Sequence, residues 1–212
     1  MFYVSPPIIY KWFFWDAVFC VPTEEKKLFL TFDDGPVPEA TPFVLEQLKK
    51  YNAKATFFCI GKNVKENPEL YKRVLAEGHK TANHTFDHIN GWKTKAADYI
   101  ANTAKCAELV NSKLFRPPYG KITPAQYSQL RSDYSIVLWD VLSYDFNIET
   151  APDKCVQNVI KNARPGSIIV FHDSKKAFKN MSYALPRALE YFAEKGYKFE
   201  TLPTLNLVHG LI

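Results

Sequence analysis

The sequence predicts one α/β domain built as a barrel of parallel strands, and three observations lead there. From Lys27 onward, short apolar runs alternate with amphipathic stretches. Several of the runs are continuous apolar blocks, as expected of parallel strands covered on both faces. Chemically reactive side chains fall just after five different runs, at strand carboxyl ends, which converge at a barrel mouth. An open sheet would instead concentrate its chemistry at one switch point between two strands.

The strand candidates are residues 28–32, 55–60, 80–83, 113–115, 136–139, 167–171 and 197–202. Residues 41–51 place Phe43, Val44 and Leu48 on one helical face. The next helix begins at Asn67-Pro68, read as an N-cap followed by proline at the first helical position, and ends near Gly78. Further helices fit 94–111, 123–132, 152–163 and 185–195, the last closed by Gly196. Seven strands separated by six helices imply right-handed crossovers and a parallel sheet. Residues 27–212 contain no linker, repeat or low-complexity tract and read as one domain.

Composition agrees with a packed domain and excludes a chain disordered throughout: of 212 residues, 47% are hydrophobic and 23% charged. The net charge of +5 is mild and spread along the chain, so no nucleic-acid partner is expected. Cys20, Cys59, Cys106 and Cys155 form no CxxC or Cys/His cluster and read as small buried hydrophobes in a reducing compartment. Residues 1–26 form an apolar extension. Within it, 8–21 is too short to span a bilayer. It is interrupted by Lys11 and Asp16, carries bulky aromatics and lacks a small-residue cleavage site. The expectation is an extension packed on the domain in a cytoplasmic protein; peripheral membrane contact through 8–21 and export by an atypical N-terminus are the alternatives.

Asp33 and Asp34 follow the first strand. Neighbouring strand residues point to opposite faces, so one carboxylate is expected to turn to a metal and the other to a water; an ordinary Asp-Gly-Pro turn is the bland reading. His84 and His88, spaced i, i+4, would stack on one face of a helical turn, which suits two imidazoles on one ion. Two histidines with Asp34 make a common catalytic set that leaves positions open for water and substrate. Zinc is the expected metal, with cobalt, nickel, manganese and ferrous iron also fitting the donors. His172, ending the apolar run of 167–171, is a candidate proton donor. Asp145 could orient it and favour its charged form, and Arg116 could hold a carboxylate base ionised. The N–H of Tyr119, following two prolines that donate none, could face an oxyanion. Trp139 and Tyr144 lie near the mouth as substrate contacts. His79 and His209 read as bland, Asp87 as solvated, Trp12, Trp15 and Trp92 as packing, and Asp173 as a local cap.

TFDDGP, H-T-x-x-H, R-P-P-Y-G, W-D-V-L-S-Y-D-F and I-V-F-H-D, in this order, resemble the five motifs of the polysaccharide deacetylases, carbohydrate esterase family four. The likeness spans residues 28 to 202. It implies a distorted (β/α)7 barrel that removes acetyl groups from N-acetylglucosamine-type sugars, peptidoglycan or chitin-like, using a divalent metal. Carried over, Asp33 would be the base, Asp34, His84 and His88 the metal ligands, and His172 the acid. Arg116 would position Asp33, Asp145 would tune His172, and Tyr119 would lend its amide to the oxyanion hole. Pro118, Tyr119, Trp139, Tyr144 and Val170 would meet the carbohydrate. Three departures bear on the substrate rather than the reaction: Leu142 stands where many relatives carry an acid, Phe146 where a Trp often follows the Asp, and Val170 where a Leu often lines the acetyl pocket. The rival readings are an ester deacetylase of acetylated polysaccharide, a hydrolase of a small non-sugar amide, and a non-catalytic carbohydrate-binding barrel.

Overall fold

In the computed structural model, which describes residues 4–203, eight strands form one sheet. They are β1 (Lys27–Asp33), β2 (Ala55–Cys59), β3 (Lys80–Asn83), β4 (Leu114–Phe115), β5 (Ser135–Ile136), β6 (Val141–Leu142), β7 (Ile168–His172) and β8 (Lys198–Phe199). The order is β5-β4-β3-β2-β1-β7-β6, every ladder is parallel, and β8 pairs with the start of β1. This is the curled sheet of a distorted barrel.

Alternation along β1 places the site. Leu28, Leu30 and Phe32 point outward into the core beneath the helices, where Phe32 stacks between Phe57 and Phe171. Phe29 points the other way and meets Phe58, Ala82, Leu114, Val137 and Ile168, a cluster drawn from strands around the whole curl. Thr31 and Asp33 share the inward face of Phe29. The interior is thus apolar below and becomes polar where β1 ends.

The helices are α1 (Ile8–Phe13), α2 (Thr41–Lys50), α3 (Gly61–Glu66), α4 (Pro68–Ala76), α5 (Ala96–Ala107), α6 (Pro124–Leu130), α7 (Pro152–Asn162) and α8 (Phe178–Glu194). Their starts carry the expected signals in part. Thr123 and Gln126 form a reciprocal capping box on α6. Asn67 does not cap α4: its amide instead donates to the carbonyls of Pro36 and Asn63. α8 begins seven residues before the expected 185, because Pro186 sits inside it and reads in sequence as a start. Gly196, at φ 77°, follows the end of α8 as expected. Of the expected strand 136–139 only Ile136 lies in a strand, β5, while Val137 makes a single bridge to Val18; β6 falls beyond it at Val141–Leu142, and β6, α1 and α3 were not foreseen.

The extension closes the curl. No ladder joins the terminal strands β5 and β6, and the chain before β1 runs along that seam. Val18 N–H donates to Ile136 O and Val18 O accepts from Leu138 N–H, both at 2.8 Å; Val21 N–H donates to Gly166 O at 2.9 Å, and Leu142 N–H to Val4 O at 2.8 Å. Tyr10, Phe14 and Phe19 pack inward against Trp139, Leu142 and Val170. Trp12, Trp15 and Trp92, all expected to pack, are exposed, as are Ile9 and Phe13. The four cysteines are free, three of them buried. No helix among the described residues is long and apolar enough to cross a membrane. His209 lies outside the described residues.

Candidate active site

A cleft of about 450 Å³ opens where the strands end, within the usual range for a small-ligand site. Asp33, Asp34, His84, His88, Arg116 and His172 all line it, with Tyr119, Trp139 and Val170.

Asp33 and Asp34 both face this cleft, contrary to the alternation expected of them. Asp34 has left β1 and adopts φ 83°, which turns its side chain back toward the side that Asp33 faces. That backbone costs a non-glycine residue on the order of 1–3 kcal/mol. It is held by Asn63, whose amide donates to the Asp34 carbonyl at 2.6 Å. His84 and His88 do not lie on a helical turn either. They flank an irregular loop in which Thr85 and His88 have φ of 63° and 55°, yet their ring centroids come within 5.1 Å.

Asp34, His84 and His88 converge, their donor atoms all within 4.8 Å of one another. Asp34 Oδ1 lies 3.1 Å from His88 Nε2 and 3.9 Å from His84 Nε2. Two bonds of about 2.1 Å at a tetrahedral angle put their donors ~3.4 Å apart, between those two spacings. Asp34 Oδ1 is buried and has no hydrogen-bond partner. An orphaned carboxylate oxygen facing two imidazole nitrogens fits a divalent cation better than it fits any protein contact.

The tautomer agrees. His84 Nδ1 donates to the Arg116 carbonyl at 2.7 Å, and since that oxygen can only accept, Nε2 keeps its lone pair for the cleft. Burial pushes His84 down to about 4, against the pull of Asp33 and Asp34, so the ring is neutral. Burial pushes the Asp34 carboxyl up, but His88, His172 and His84 together outweigh it and leave it well below the usual carboxylate range.

Asp33 stays outside this triad. Its Oδ1 receives Arg116 Nη1 at 2.6 Å. The Arg116 guanidinium also donates to Thr31 Oγ1, Val137 O and Leu138 O and lies 4.0 Å over the Phe58 ring. Across the cleft, Asp145 grips His172 twice, accepting its Nδ1–H at 2.7 Å and its backbone N–H at 2.8 Å. Burial lowers the His172 value, but the charge and hydrogen bond of Asp145, with Asp34 and Asp33 behind, raise it to about 9. The ring is therefore protonated at neutral pH.

The geometry combines with three comparisons. The polysaccharide deacetylase family model matches residues 21–134. The chain belongs to this family. A peptidoglycan-N-acetylglucosamine deacetylase of Bacillus cereus is 38% identical over 193 residues, covering 87% of this chain and 90% of that one. A bifunctional xylanase/deacetylase of Pseudobutyrivibrio xylanivorans is 34% identical, covering 89% of this chain but 32% of its own length. The crystal structure of a peptidoglycan N-acetylglucosamine deacetylase in complex with 4-naphthalen-1-yl-N-oxidanyl-benzamide superposes with a TM-score of 0.85 at 34% identity, covering 93% of this chain and 95% of that one. A family 4 carbohydrate esterase from Streptomyces lividans, in complex with acetate, gives 0.75 at 30% identity, covering 84% and 94%.

Several expected residues of this polysaccharide deacetylase lie differently. Pro118 is buried beneath the turn made by Tyr119 at φ 61°, and Pro117 lines the cleft in its place. Tyr144 does not line the cleft; its own turn, at φ 69°, leaves it stacked 5.5 Å behind Phe146, which does. Asp173 is no local cap: it binds Gly35 and Thr41, far back in the sequence. His79 is a core histidine that accepts from Ala55 N–H and is lowered to about 4 by burial. Asn63 was not anticipated in the cleft. Asn63 looks in sequence like any polar helix residue, so nothing there marks it.

Proposed function

We propose that this chain is a metal-dependent N-deacetylase of N-acetylglucosamine residues in peptidoglycan, releasing acetate and a free amine. The observation that carries this reading is the separation of duties at one strand end: Asp34 points its orphaned oxygen at His84 and His88, while Asp33, one residue away, is held by Arg116 instead. The peptidoglycan-N-acetylglucosamine deacetylases among the relatives support the substrate.

A divalent cation held by Asp34, His84 and His88, proposed to be zinc, supplies Lewis acidity toward the amide carbonyl and toward water. Asp33 accepts the proton of the attacking water, with Arg116 fixing the carboxylate at the height where β1 ends. The Tyr119 N–H donates to the oxygen of the tetrahedral intermediate. His172, protonated and turned by Asp145 so that Nε2 faces the cleft, gives its proton to the departing nitrogen. Trp139, Leu142 and Val170 form an apolar wall suited to the acetyl methyl group and to excluding bulk water.

A second reading, ester deacetylation of acetylated xylan, is favoured by the xylanase/deacetylase relative and by the likeness to a multidomain xylanase's Xyl-CE4 domain, at a TM-score of 0.73 and 30% identity. The test is acetate release from peptidoglycan fragments, chitin oligomers and acetylated xylan, with and without chelator. Chelator-sensitive release from the N-acetylated substrates is expected. Release from xylan alone would give the second reading precedence, and release indifferent to chelator would remove the metal.

A further inference from the structure

One buried carboxyl beside the cleft has no part in this chemistry. Asp173 follows His172 and is fully buried. Its Oδ1 accepts the Gly35 N–H at 3.0 Å, and its Oδ2 accepts the Thr41 hydroxyl at 2.6 Å. The Thr41 oxygen accepts the Val37 N–H at 2.8 Å, and the Asp173 N–H donates to the Asp33 carbonyl at 3.1 Å. The backbone from 33 to 37 is therefore gripped at three points, by the side chain and the N–H of Asp173 and by Thr41. A Cβ on Gly35 would sit 1.9 Å from Asp173 Oδ2; the turn approaches so closely that no side chain fits there.

A buried Asp bracing a turn is common and often only structural. Here the turn carries both Asp33 and Asp34, and the strained φ of 83° at Asp34 persists only where its surroundings over-determine it. The opposite end of the brace is covalently tied to His172, which pairs with Asp33 across the β1–β7 ladder. Any slack in Asp173 would move two carboxylates relative to the imidazole.

We propose that Asp173 is a positioning residue: it locks the turn bearing Asp33 and Asp34 to the strand end bearing His172, and so sets the spacing between base, metal donor and acid. The inference rests on the functional reading above.

Asp173→Asn tests it by keeping shape and one acceptor for Gly35 while placing an amino group against Thr41. Thr41→Val cuts the same link from the other side and serves if the first variant folds poorly. For each, kcat and KM of acetate release from N-acetylglucosamine oligomers are measured, with cobalt(II) affinity, the cobalt visible spectrum and the thermal midpoint. The expected result is a fall of about ten-fold or more in kcat and in cobalt affinity. KM should stay within about two-fold, and the cobalt spectrum should alter. Variants that lose only thermal stability, with kcat, cobalt affinity and spectrum unchanged, would reduce Asp173 to a brace and overturn the proposal. Wild-type protein that neither binds cobalt nor releases acetate would instead overturn the functional reading, and the proposal with it.

Discussion

Arg116 meets Asp33 at 2.6 Å although Arg116 itself keeps only 1% of its surface exposed. A guanidinium this deep is tolerable because the carboxylate, a hydroxyl and two carbonyls accept from it. Replacing Arg116 with Met leaves Asp33 buried and unpaired, a loss of about 3–5 kcal/mol, which urea unfolding measures. Arg116→Lys keeps the charge but not the planar fork. It is expected to fold and to lose about 10–100-fold in acetate release; wild-type activity in this variant would contradict the positioning role.

The His172–Asp145 pair predicts a pH dependence with a definite sign. The folded value of about 9 lies above the ordinary 6.5, so the pair contributes stability that is fully present below about pH 6.5. That contribution, roughly 3 kcal/mol, is lost as pH rises through about 9. Denaturant unfolding of the metal-free protein between these limits should follow this slope, and Asp145→Asn should flatten it. In turnover, the alkaline limb should move to lower pH in Asp145→Asn. A limb at the same pH would exclude His172 as the titrating acid.

Much of this site was legible because side-chain chemistry survives in sequence. The buried strands β1, β2 and β7 are continuous apolar blocks, and charged or imidazole residues at their ends stand out. What sequence hid is carried by backbone. Nothing local marks Asp34, Thr85 or His88 as left-handed, so the alternation and helical-turn arguments reached residues that do converge on the cleft, but through the wrong geometry. Asn63 and Asp173 act on main-chain groups far away in the chain, which no spacing reveals. Strands of two residues such as β5 and β6 are too short for a period.

The seam closed by the extension yields a stability prediction. Val18 donates and accepts along the β5 side. Removing residues 4–21 forfeits at least four backbone hydrogen bonds, at about 1 kcal/mol each, and uncovers Trp139, Leu142 and Val170. The exposed strand edge also invites intermolecular pairing. Thermal melting with light scattering should show a lower midpoint and aggregation. Val18→Pro, which removes one donor, should give part of the effect; a truncated protein as stable and monodisperse as the full chain would contradict the closure.

The most direct test of the central claim is the metal content and acetate release of Asp33→Asn, compared with His84→Ala. The account predicts that Asp33→Asn retains one divalent cation per chain while acetate release is abolished, and that His84→Ala loses both. Near-wild-type turnover in Asp33→Asn, or loss of the cation from it, would contradict the division of labour between Asp33 and Asp34.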